Sequence, residues 1–243
     1  PLRCAVLDQW KEKCRNESET ANWILTNTKP CPKCRTRIEK NQGCNHMTCQ
    51  NCRYEFCWIC SKDWNRHGER SYECNRYKET DQLSKDRAKS ALRRYLFHFE
   101  RYSNHENSLK VQPILHEKVQ NRVLAMQNNC TIGFAECQLF ERALSTLEDC
   151  RIVLMHTYIF AFYVKKNNHL EIFEDNQRDL EIAVEKLCSY LEQEDHCMDI
   201  MYMKNYIQDL TKYCSQRRQV LIDHVEDGND MISIWEYNEI DCN

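Results

Sequence analysis

Turn-making residues are scarce: the chain of 243 residues holds four glycines and four prolines. From about Ser84 onward Pro113 is the single proline and glycine is nearly absent, which leaves little to interrupt helices. Long apolar runs are missing too. The longest, from Ile152 to Val164, has thirteen residues and includes His156. That is well short of the roughly 20 needed to cross a bilayer, so it reads as a buried helix and no membrane partner is expected. Nor is there a bulk surplus of charge, since 34 Lys and Arg against 37 Asp and Glu give a formal net charge of −3. No partner class follows from that balance. No signal peptide opens the chain, so its cysteines read as reduced metal ligands rather than a disulfide framework, with cytosol or nucleus as the expected compartment. The N-x-S/T matches at Asn16 and Asn129 are set aside on the same ground. Pro1 stands where an initiator would, and the expectation is a portion of a longer polypeptide.

Cysteine, by contrast, is abundant. Eight of the seventeen fall between residues 31 and 74. Three C-x2-C pairs, Cys31/Cys34, Cys49/Cys52 and Cys57/Cys60, are followed by His67 and Cys74, a spacing suited to closing thiolates and imidazole around tetrahedral zinc. Filled in chain order, Cys31, Cys34, Cys49 and Cys52 hold one ion, and Cys57, Cys60, His67 and Cys74 hold a second. Cys44 is then left over with His46 two residues on. In an extended segment these project to one side, placing a nucleophile beside a base. A cross-braced RING finger fits the same letters: there Cys44 and His46 join Cys57 and Cys60 at the second ion, and Cys44 is inert. Spacing alone leaves both open.

The run GCNHMTCQNCRYEFCWIC with the following DWNRHG resembles the catalytic second RING-like module (Rcat) of RING-between-RING ubiquitin ligases. The upstream SETANWILTNTKPCPKC and the downstream CNRYKE and RRYLFHFERYSNHENSL narrow the resemblance, which covers nearly the whole chain, to the ariadne type. It implies chain-order filling by two zinc ions, with Cys44 as the ubiquitin-accepting cysteine, His46 as general base and Glu55 as the acid supporting the histidine. It also implies ubiquitin and a ubiquitin-conjugating enzyme as partners, and a C-terminal ariadne domain that hides the cysteine until a neddylated cullin-RING ligase releases it. In relatives the restraining contact uses an aromatic and an acidic residue just after the serine and leucine matching Ser108 and Leu109, and an acidic residue on a later helix. This chain has Val111, Gln112 and Glu185 at those places.

The fold expected is mainly α with a small zinc-bound β-rich module: linker helices over 1–29, the two-zinc Rcat module over 30–78 and a helical ariadne domain over 79–243. Leu7, Trp10 and Cys14 share one helical face, Cys4 and Cys14 read as packing residues, and SETANW has the look of a second short helix ended by Thr28 to Pro30. Trp58 and Trp64 read as packing around the second ion, Trp64 also being placed to border the thiol. Gly43 permits a hairpin corner and close backbone approach at Cys44.

Beyond Ser84 one stripe joins Ala143, Leu147, Cys150, Leu154, Tyr158 and Ala161, a second Leu180, Val184, Leu187 and Leu191, and a third Tyr206, Leu210 and Tyr213. Breaks near Pro113, 128–133, 165–169 and 195–198 give a bundle of about five helices. Cys130, Cys137, Cys150, Cys188, Cys197, Cys214 and Cys242 lack the C-x2-C grammar and read as small buried or surface thiols. Between Lys29 and Lys78 eleven Lys and Arg face five Asp and Glu. Such a module could hold nucleic acid, but it equally steers an acidic protein partner, and nucleic acid is the lesser reading. A non-covalent scaffold for the conjugating enzyme is the competing class.

Overall fold

Stretches without glycine or proline become long helices. The computed structural model describes residues 4–17, 28–40, 43–65, 73–77, 87–128, 132–192, 200–230 and 234–238. In chain order these contain α1 (Cys4–Asn16), β1 (Thr28–Pro30), β2 (Arg37–Glu39), β3 (His46–Thr48), β4 (Glu55–Cys57), a 3-10 turn (Glu73–Asn75), α2 (Arg87–Lys110), α3 (Gln112–Asn128), α4 (Phe134–Tyr163), α5 (Asn168–Glu192) and α6 (Ile200–Asp230). The fold is mainly α with a small cysteine-rich strand module. The interruptions have local causes. Pro113 lies in the first turn of α3, where its missing N–H costs nothing. Asn167 caps α5 by accepting the Leu170 N–H at 2.8 Å, and the Glu136 carboxylate accepts the Gly133 N–H at 3.0 Å ahead of α4.

α4 is the central element. Ala143, Leu147, Cys150, Leu154 and Ala161 are buried with Leu180, Val184, Leu187 and Leu191 of α5 in one continuous core, and Tyr158 is fully buried as well. The third stripe is displaced by one row. Tyr206 and Tyr213 are exposed, and Met203, Ile207, Cys214, Leu221 and Val225 carry the core face of α6. Both rows share the helical period, and phenol hydroxyls favour the wet rim, where Tyr206 pairs with Tyr190 at 5.3 Å. Trp235 closes the far end, edge-on to Phe160 at 5.0 Å, beside a bridge pairing Val164 with Tyr237.

α1 packs on the bundle through Trp10, which is fully buried among Tyr95, Phe99, Tyr102 and Phe162. Leu7 and Cys14 lean on the same cluster. Cys4, expected to pack there, is exposed, because six residues from Trp10 it lies on a different side of the helix. The SETANW stretch falls outside the described residues. Thr28–Pro30 is a strand and pairs antiparallel with β2, Lys29 opposite Ile38. β3 pairs with β4, His46 opposite Cys57 and Thr48 opposite Glu55. Met47, Phe56, Cys57, Trp58 and Ile59 form a core too small to hold such short hairpins by burial alone.

Candidate functional site

Each C-x2-C pair folds into the same loop. The residue after the second cysteine is left-handed, Arg35 with φ 65, Arg53 with φ 57 and Ser61 with φ 59. Its N–H donates to the carbonyl of the first cysteine at 3.0, 2.7 and 2.8 Å respectively. In turn the N–H of Cys31, Cys49 and Cys57 donates to Thr36, Tyr54 and Lys62 at 2.8, 2.9 and 2.9 Å. Non-glycine residues enter this region at a cost of about 1–2 kcal/mol. Paying it three times points to a common constraint, two sulfurs turned toward one point. The sulfurs of Cys31, Cys34, Cys49 and Cys52 lie within 4.8 Å of one another, and so do those of Cys57, Cys60 and Cys74. The first group shows crossed contacts, Cys31 to Cys52 at 3.7 Å and Cys34 to Cys49 at 3.6 Å. Both groups could hold a metal ion; four convergent thiols at a rigid hairpin fit a soft or borderline cation better than a hard one. His67 lies outside the described residues.

Cys44 belongs to neither group. It sits 2 % exposed at the entrance to β3 and joins the core of the helical bundle. The backbone N–H of His46 donates to its sulfur at 3.3 Å. The His46 imidazole pairs through Nε2 with Glu55 Oε2 at 3.2 Å, across the strand pair, and stacks on Trp64 at 4.3 Å with an interplanar angle of 5°. With a carboxylate as acceptor, Nε2 carries the proton and Nδ1 is the basic nitrogen.

The bundle grips the segment around this cysteine. Glu185 of α5 accepts from the Asn45 backbone N–H at 2.5 Å and from Asn45 Nδ2 at 2.9 Å. Ser108 of α2 donates to the Gly43 carbonyl at 2.9 Å, and the Gly43 N–H reaches Glu192 at 3.2 Å. Lys40 bridges Asn45 at 2.9 Å and Asn104 at 2.5 Å. Arg151, buried on α4, holds Gln112 at 2.5 Å and Cys188 at 2.9 Å, and a Cβ on Gly43 would sit 2.9 Å from its Cζ. The glycine leaves room for this close approach. The Cys188 contact, burial and the Glu185 carboxylate together push the Cys44 thiol well up, so in this arrangement it is protonated and a poor nucleophile. Burial likewise raises Glu185 and lowers Lys40. Of these residues, Gly43, Gln112 and Glu185 stand out in the sequence; Lys40, Asn104, Ser108, Arg151, Cys188 and Glu192 carry no spacing that would single them out. A cavity of about 420 Å³ lined by Leu7, His156, Phe160, Leu221 and Val225 lies elsewhere and includes none of the clustered sulfurs.

Fold and site thus define a cysteine-loop module whose one unclustered thiol is clasped by a five-helix bundle. A family model described as IBR domain matches residues 26–76, and one described as Ariadne domain matches residues 93–229. The chain is 45 % identical to the human E3 ubiquitin-protein ligase ARIH1, over 98 % of this chain and 44 % of that protein. It is 44 % identical to E3 ubiquitin-protein ligase ariadne-1 of Drosophila melanogaster and to E3 ubiquitin-protein ligase dbl4 of Schizosaccharomyces pombe, in each case over 98 % of this chain and 48 % of the relative. The chain spans about half the length of these relatives. It belongs to the ariadne family of RING-between-RING proteins. Among the described residues, no helix is long and apolar enough to cross a membrane.

Proposed function

We propose that this chain transfers ubiquitin through a thioester on Cys44, accepting it from a ubiquitin-conjugating enzyme and passing it to a substrate lysine. Two zinc ions, one on Cys31, Cys34, Cys49 and Cys52 and one on Cys57, Cys60, Cys74 and His67, would supply structural cross-links that hold the hairpins in register. The chemistry belongs to the side chains. In the first step the Cys44 thiolate attacks the thioester carbonyl, its S–C bond forms and the enzyme's cysteine leaves as thiolate. In the second a lysine amine attacks the new thioester, His46 Nδ1 takes the amine proton, Glu55 holds the tautomer from Nε2, and Cys44 leaves. Trp64 stacks on the His46 ring and holds its plane.

The helical domain restrains the first step by burying the thiol in its protonated form, and an outside partner has to lift the Gly43–Asn45 segment off α5. A neddylated cullin-RING ligase is that partner by the family resemblance, in cytosol or nucleus. One observation carries the reading: Cys44 lies outside both sulfur groups while an imidazole paired with a carboxylate stands two residues away. Cys44→Ser tests it. The variant is expected to bind as many zinc ions as the parent and to lose transfer, retaining ubiquitin as a stalled ester. Loss of one ion would instead mark Cys44 as a ligand and the module as a non-covalent platform.

A further inference from the structure

Cys188 takes no part in that reaction, yet its surroundings are unlike those of an inert core thiol. It is fully buried on α5, one turn past Glu185, and the Arg151 guanidinium donates to its sulfur at 2.9 Å. Its own S–H points to Glu192 Oε1 at 3.4 Å. The Cys44 sulfur reaches the same turn of helix, 3.9 Å from the Glu185 carbonyl, and lies in the same buried cluster as Cys188; the Gly43 N–H beside it donates at 3.2 Å to the same Glu192 Oε1 that takes the Cys188 S–H. Two thiols held against one turn of α5 from distant parts of the chain are candidates for a cross-link, which requires that the two backbones approach closely.

We propose that Cys44 and Cys188 form a reversible disulfide when the protein meets a peroxide, and that this bond locks the Cys44 segment shut against α5. Its effect on ubiquitin transfer rests on the reading of Cys44 as the acceptor; the cross-link itself does not. Both sulfurs are buried, so the oxidant enters during local openings of the Gly43–Asn45 contact. The Cys188 sulfur attacks one peroxide oxygen: an S–O bond forms, the O–O bond breaks, and the hydroxide that leaves takes up the Cys188 proton as water. Cys44 sulfur then attacks the sulfenic sulfur, the S–S bond forms, the S–O bond breaks, and the hydroxyl departs as water with the Cys44 proton. In sum two thiols and one hydrogen peroxide give a disulfide and two waters.

The experiment uses the full zinc-loaded chain. It is treated with hydrogen peroxide near neutral pH, remaining thiols are alkylated, and the unreduced digest is mapped by mass spectrometry alongside a zinc measurement. The peptides holding Cys44 and Cys188 are expected joined, lighter by two hydrogens, in more than half of the chains, with zinc content unchanged and the link removed by dithiothreitol. Cys188→Ser abolishes the joined species, and Cys188→Ala serves the same comparison should the serine variant not fold. Recovery of Cys44 and Cys188 as separately oxidised or alkylated peptides overturns the proposal, as does a link from Cys44 to a clustered cysteine with loss of zinc. Cross-linking in a protein that never takes ubiquitin on Cys44 refutes only the transfer reading; charging without the cross-link refutes only this one.

Discussion

Replacing Glu185 by alanine removes the firmest hold on the Cys44 segment. The carboxylate accepts two hydrogen bonds from Asn45, at 2.5 and 2.9 Å, both buried. Hydrogen bonds to a charged group contribute about 1.5–3 kcal/mol each. Burying the carboxylate offsets part of this, as its raised pKa shows. A net loss of about 2 kcal/mol remains, and since 1.4 kcal/mol is tenfold, the open form becomes about 30-fold more populated. Ser108, Glu192 and Lys40 still hold the segment, so the contact weakens without vanishing. The readout is the rate of iodoacetamide addition to Cys44, followed by peptide mass mapping, which needs no ubiquitin chemistry. A Glu185→Ala protein with the parent's helicity and zinc content, whose Cys44 reacts within threefold of the parent rate, would refute the clamp.

His46→Ala is expected to load ubiquitin on Cys44 but to discharge it to lysine about 100 to 10,000-fold more slowly, measured by single-turnover discharge; equal loss of both steps would make His46 structural. Gly43→Ala drives a methyl against the Arg151 guanidinium, and an overpacking strain of about 1.4 kcal/mol should raise Cys44 alkylation about tenfold. The buried His98 imidazole, bonded through Nδ1 to the Arg94 carbonyl at 2.8 Å, has its pKa pulled down to about 3 by burial. The folded value lies below the unfolded one, so the unfolded chain takes the proton first. Stability is complete above about pH 6.5 and falls as pH drops from there toward 3. Between pH 7 and 5.5 the parent should lose about 1 kcal/mol more than His98→Gln in urea unfolding; parallel losses would show that His98 is not the group titrating.

Much of the architecture is legible along the chain. The near absence of glycine and proline beyond Ser84, with Pro113 and the polar breaks, marks the helices of the bundle, and the stripes on α4 and α5 mark their buried faces. The α6 stripe slipped by a row because hydrophobic period gives a face's width without saying whether tyrosine or its aliphatic neighbours meet the core. The C-x2-C spacing announces paired sulfurs. It cannot rank the cross-braced and chain-order arrangements, since both use the same letters and differ in which distant residue arrives; the third member found beside Cys57 and Cys60 is Cys74.

By itself, then, the sequence determined what is local: helix spans, the three cysteine loops, and a thiol two residues from an imidazole. These follow from backbone propensity and from donors a few residues apart, which neighbours along the chain settle between themselves. Only the tertiary structure decided what covers Cys44. Glu185, Cys188 and Arg151 stand more than 100 residues further on, and they meet the thiol because α4 and α5 pack side by side and aim one turn of α5 and the Arg151 side chain at the Gly43 corner. A contact across that separation depends on the register of whole helices, which no short stretch of residues encodes.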